Sequence, residues 1–201
     1  MKIRVLLAST AALALAACGD ANDQAAQQNA ESDLPAATDT AAPALDAGLP
    51  TTAQEFAAMQ ASSDAYEIEA GRLAQENATN QAVKDFGAMM VKDHTTSTAE
   101  LETAAGQAEG VTVQKQMNAQ HQSNLDALRN AGANFDRTYM DQQVRAHEQA
   151  LAMLQNYARQ GDSQPLKDFA TKTASVVQGH LEQARQLQQQ TQQQGQQTPQ
   201  P

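Results

Sequence analysis

Three histidines, His94, His147 and His180, each stand mid-way along a separate run of apolar residues spaced three or four apart, and Glu67 holds the same place in an earlier run. That spacing makes one stripe of an α-helix, the side a helix turns to a core. On a wheel of about 100° per residue, each of the four polar groups lies within about 40° of its stripe's mean direction. Titratable groups avoid such places unless something satisfies them. Two arrangements would do so. Neutral imidazole nitrogen and carboxylate oxygen suit iron, zinc, copper or manganese, so Glu67, His94, His147 and His180 could ligate one divalent transition metal. A buried hydrogen-bonded network, with the histidines satisfied by Glu67 and nearby polar groups, would meet the same need without an ion.

Either arrangement requires helices that bring the four groups to one level. Thr52 and Glu55 form a capping box, which opens a helix with Phe56, Met59, Ser63, Glu67, Ala70 and Ala74 on one stripe. After the break at 77–80, a second helix shows Val83, Phe86, Met90, His94, Ser97 and Leu101, and Gly106 and Gly110 end it. A shorter segment over 114–131 turns Met117, His121, Leu125 and Leu128 inward; Gly132 stops it and Asn134 is placed to cap the next. The fourth pattern carries Asp136, Met140, Val144, His147, Leu151, Leu154 and Ala158. Gly161, Asp162 and Ser163 break it, and Pro165 suits a first helical turn. The last pattern carries Leu166, Phe169, Thr173, Val177, His180, Ala184 and Leu187. If the short segment is a crossover, the second and fourth patterns run parallel. At about 1.5 Å per residue the four polar groups then share a height within roughly one helical turn. The expected fold is all-α: a four-helix bundle with a short crossover helix between the second and third long helices.

The remaining polar residues have simpler explanations. Asp93 and Glu148 adjoin His94 and His147 but point about 100° away, toward the helix surface or behind a ligand. Asp136 stands in a first turn, where the helix dipole alone favours an acid. His121 lies on the presumed crossover without a matching partner. The seven methionines are spread at helical spacing and read as core filling. No nucleophile motif, phosphate loop or cofactor fingerprint is present, so catalysis is not expected.

Composition agrees with this organisation. A formal net charge of -10 repels nucleic acid and anionic head groups, so neither is an expected partner. Aromatics are 3% and Trp is absent, which leaves the core to aliphatic packing. Residues 19–50 are mostly Ala, Asp, Asn, Gln, Thr and Pro without periodicity, and read as a disordered tether; residues 188–201 read as a Gln-rich tail, a frayed helix end followed by disorder. The domain division is therefore 1–17 signal peptide, 18–51 tether, 52–187 bundle and 188–201 tail.

The single cysteine follows Leu15, Ala16 and Ala17 at the close of an apolar run that Lys2 and Arg4 precede. That run is too short for the roughly 20 residues of a membrane-spanning helix and has the build of an export signal. Leu-Ala-Ala-Cys resembles the lipobox of bacterial lipoproteins, which implies that Cys18 carries lipid and anchors the protein to a membrane. In such proteins an aspartate directly after the cysteine marks retention at the inner membrane. Here Gly19 takes that place, so the expected site is the outer membrane, facing the periplasm.

Over about 55–187 the chain resembles the family catalogued as domain of unknown function 4142, whose members are often labelled predicted outer membrane proteins. The matching pieces are Ala65 to Ala74, Val83 to Phe86, Met90 to His94, Phe135 to Tyr139, Val144 to Glu148 and Gly179 to Leu181. The resemblance implies a ferritin-like bundle and carries no established activity. Iron-binding ferritin-like sites use Glu-x-x-His on two helices. Val91, Val144 and Val177 stand where those glutamates would precede the three histidines, which disfavours a di-iron centre and leaves a mononuclear, histidine-rich site. The leading expectation is a lipid-anchored binding or structural module without catalysis; the second is a metal-binding protein that handles metal or oxidative stress.

Overall fold

The computed structural model describes residues 48–197, with side chains to 193. The expected signal peptide, Cys18 and nearly all of the tether lie outside the described residues. The described residues form helices and no strand: α1 (Ala53–Asn77), α2 (Gln81–Ala105), α3 (Ala119–Arg129), α4 (Phe135–Gln160) and α5 (Gln164–Gln197), with a 3-10 turn, Gly132–Asn134, before α4. None of these helices is long and apolar enough to cross a membrane.

Local chemistry sets the ends. The Thr52 side chain accepts from Glu55 N and donates to Glu55 Oε2, and Asn80 and Asn118 accept from the first-turn amides of α2 and α3. Two boundaries differ from expectation. The crossover helix starts at Ala119 and not near 114, because Asn118, itself extended, supplies the cap, and the residues before it take no regular structure. Asn134 makes no side-chain cap; the 3-10 turn feeds α4 directly. The last helix also continues through Gln197, past the expected boundary at 187. Glutamine is a good helix former, and Thr191 is still buried on the inward stripe.

α1 and α2 form one antiparallel hairpin and α4 and α5 another. The crossover works as expected. Asp136, in the first turn of α4, accepts from Thr79 N, Thr79 Oγ1 and Asn80 N, so α2 and α4 start at the same end and run parallel. At the opposite end Asn156 donates to Pro50 O and the amide of Asp162 to Thr51 O, joining the close of α4 to the approach of α1. Neighbours run α1–α2–α5–α4 around a closed square, with α3 laid across α1 and α4. The α1–α2 crossing is tight. A Cβ on Gly71 would lie 2.6 Å from Gly87 O, and one on Gly87 would lie 2.8 Å from Gly71 O, so only glycine lets these backbones meet.

The apolar interior falls into two clusters. One holds Phe86, Met90, Tyr139, Met140 and Leu181; the other holds Phe56, Leu101, Leu154, Tyr157 and Phe169. The expected stripes match except on α1, where Met59 is 44% exposed. That helix packs against α2, α3 and α4, so its buried face is wide and includes Gln60, Ser62 and Asp64.

Candidate metal centre

Between the two apolar clusters lies a layer of polar side chains on the four long helices. His94 on α2, His147 on α4 and His180 on α5 meet there, with ring centroids 5.5–5.9 Å apart. Each offers a ring nitrogen, and these three nitrogens lie within 4.8 Å of one another. All three residues are buried.

The other nitrogen of each ring is held from outside the trio. His94 Nδ1 lies 2.8 Å from Asp64 Oδ1, His147 Nδ1 lies 2.9 Å from Gln143 O, and His180 Nε2 lies 3.0 Å from Asp93 Oδ2. A carbonyl only accepts, so His147 carries its proton on Nδ1; the carboxylates set the same choice for the other two. The lone pairs of neutral rings then sit on His94 Nε2, His147 Nε2 and His180 Nδ1. Those are three of the six buried side-chain atoms without a hydrogen-bond partner among the described residues. An imidazole whose far nitrogen donates to a carboxylate or carbonyl is the usual form of a metal-ligating histidine.

Glu67 shares the layer and not the cluster of free nitrogens. Its Oε2 accepts from Gln143 Nε2 at 2.7 Å, and its Oε1 lies 3.9 Å from His147 Nδ1. That nitrogen is the outward one, so the carboxyl stands behind the ring. Of the four groups expected to meet, the structure brings the three histidines together and leaves Glu67 behind the His147 ring. Burial pushes Glu67 up to about 7 from an ordinary 4.5, with His94 and Gln143 opposing and Asp64 adding to the rise.

Electrostatics divides the rings. Burial drives His147 down from 6.5 to about 3, helped by His94 and His180 and opposed by Gln143 O. Burial also lowers His180, with His94 in support and Asp93 opposing. His94 is the exception. Burial pushes it down, but the hydrogen bond and charge of Asp64, then Glu67 and Asp93, outweigh burial and hold it above its ordinary value.

Asp64 is the residue the stripe pattern overlooked. Fully buried, it accepts from Gln60 Nε2, His94 Nδ1 and Ser97 Oγ. It sits three residues before Glu67, a helical neighbour on the same side, as Gln143 sits four before His147. Searching one turn either side of the chosen residues would have found both. Asp93 faces α5, where it meets His180. His121 also has partners: its Nδ1 lies 2.8 Å from Ser62 Oγ and its ring stacks on Tyr66. Glu148 pairs with Arg185 at the surface.

A family model described as Domain of unknown function (DUF4142) matches residues 34–187. No curated protein matches the chain by sequence. Two similar solved structures are CopM in the Cu(II)-bound form and CopM in the Cu(I)-bound form, each 22% identical, with 69% of this chain and 96% of that one covered at a TM-score of 0.59. A DUF305 fragment from Deinococcus radiodurans is 13% identical, with 69% of this chain and 95% of that one covered at a TM-score of 0.60. At these identities the likeness is one of fold, a helical bundle.

Proposed function

Because the chain belongs to the family described as Domain of unknown function (DUF4142), whose description names no activity, we propose its function from the site: it binds one transition-metal ion through His94, His147 and His180. Two observations carry this reading: three buried histidines each bring a ring nitrogen within 4.8 Å of the others, and each ring has one nitrogen without a partner while its opposite nitrogen is fixed. Three orphaned acceptors in one place are costly unless a cation takes them.

Ligands at about 2.0–2.1 Å from a tetrahedral centre are roughly 3.3 Å apart, so nitrogens now within 4.8 Å of one another close by up to about 1.5 Å on binding. Each ring ligates in its neutral form, and the carboxylates of Asp64 and Asp93 stand one hydrogen bond behind His94 and His180. Two such charges match a divalent ion. Imidazole suits copper and zinc. CopM, whose fold is similar, has been solved in Cu(II)-, Ag- and Cu(I)-bound forms, which makes copper the first ion to try. The same proposal puts the bundle at the outer membrane, facing the periplasm, through lipid on Cys18; Cys18→Ser should then release it from membrane fractions.

Elemental analysis of the full chain, with calorimetric titration by Cu(II) and by Zn(II), tests the centre. One ion per chain is expected, and none in His147→Leu. Metal content no higher than that of His147→Leu would overturn the reading.

A further inference from the structure

A centre walled by helices needs a way in. The groups around the three rings are closed to solvent on nearly every side: Asp64, Phe86 and Gln143 are fully buried and Glu67 almost so. Asp93 differs. Its side chain is 31% exposed while its Oδ2 holds His180 Nε2.

Asp93 also lines a surface groove of about 370 Å³ between α2 and α5, with Thr96, Ser97, Glu100, Thr173 and Val176. Two polar threads lead from this groove to the rings. One is Asp93 to His180; the other runs from Ser97 through Asp64 to His94. At the rim Lys172 is paired with Glu100 at 2.6 Å, so its charge is offset there, while Lys92 is the other rim cation. Breaking one hydrogen bond, Asp93 to His180, frees a carboxylate for an arriving ion and releases the ring to turn its partnerless Nδ1 toward that ion.

We propose that metal ions reach the three-histidine centre through the α2–α5 groove, with Asp93 as the residue that first takes the ion and passes it to His180. The route rests on the metal-binding reading above. A cation leaving water exchanges hydration oxygens for a carboxylate more readily than for a buried imidazole, and carboxylate at the threshold supplies that step.

Val176 lies on the rim, 44% exposed and one turn before His180, so a larger side chain there obstructs the groove without entering the core. In Val176→Trp, stopped-flow uptake of Cu(II) and its removal by a chelator should both slow about tenfold, with Kd unchanged. Ala65→Trp, in the separate α1–α2 groove, should alter neither rate. A second arm needs no metal. Diethyl pyrocarbonate, followed by peptide mass spectrometry, should acylate His180 before His94 and His147, and Val176→Trp should slow His180 while leaving His121 as in the parent. Unchanged uptake rates in Val176→Trp, or a changed Kd at an unchanged release rate, overturn the route. If the parent takes up no Cu(II), the centre itself has failed, and the acylation order alone decides whether the groove leads to the rings.

Discussion

The apolar cluster around Phe56 and the histidine layer beside it are built on the same four long helices, yet they obey opposite rules. In the first, Phe56 stacks on Tyr157 at 4.0 Å and meets Phe169 edge-on at 6.2 Å, among buried alanine and leucine that ask for no partner. In the second, all six partnerless buried atoms among the described residues belong to residues that form the layer or lean on it: the three histidines, Gln60 beside Asp64, Gln143 beside Glu67, and Tyr139, whose ionisation burial opposes first and Glu67 second. Each orphan costs about 1–3 kcal/mol against a total stability of about 5–15 kcal/mol. The first region exists to hold the bundle, and the second is tolerated because the first holds it.

Substitution of a ligand should separate the two most widely. His94→Ala is expected to lower Cu(II) affinity about a thousandfold, close to 4 kcal/mol, with melting in chelator little changed. Titration calorimetry beside thermal unfolding reads both. Phe56→Ala should do the reverse, costing about 3–4 kcal/mol in urea unfolding while the folded fraction binds metal as the parent does. Equal effects of either variant on both readouts would erase the distinction.

Acidity sharpens it further. Glu67 takes up a proton near 7 when folded and near 4.5 when unfolded, so its contribution to stability is full below 4.5 and is lost as pH rises through 7. Glu67→Gln should therefore be more stable than the parent at pH 8, by on the order of 2 kcal/mol, with the gap closing at pH 5. His147 acts with the opposite sign. Its folded value near 3 lies below the ordinary 6.5, so its contribution is present above 6.5 and is lost as pH falls toward 3. The smallest change in stability is expected from His147→Leu, which should raise metal-free stability at neutral pH by about 1 kcal/mol even though it removes a ligand. A destabilised leucine variant would mean that the layer is structural after all.

The contrast also explains what could be read from sequence. The apolar stripes on α2, α4 and α5 were legible because leucine, valine and phenylalanine at helical spacing have one common reason to be there. The three histidines were legible because they break those stripes. Met59 misled, since an alanine-rich helix with three neighbours buries more than one stripe can describe. Asp64, and the pairing of Asp93 with His180, stayed hidden for a different reason. Their roles depend on which helix stands opposite, and the helical wheel of one segment does not contain its neighbour. Glu67 stands at the expected level, but its place behind His147 stayed out of sight for the same cause.

Asp136 ties the start of α4 to Thr79 and Asn80, more than fifty residues back along the chain, whereas the turns at 78–80 and 161–163 join their helices over three residues each. Closing a long loop costs more chain entropy than closing a short one, and that cost comes before the contacts that offset it. Each hairpin can thus zip from its own turn, while the bundle closes only when the two hairpins find each other. The speed of folding is set by that search, and a single carboxylate marks where it ends.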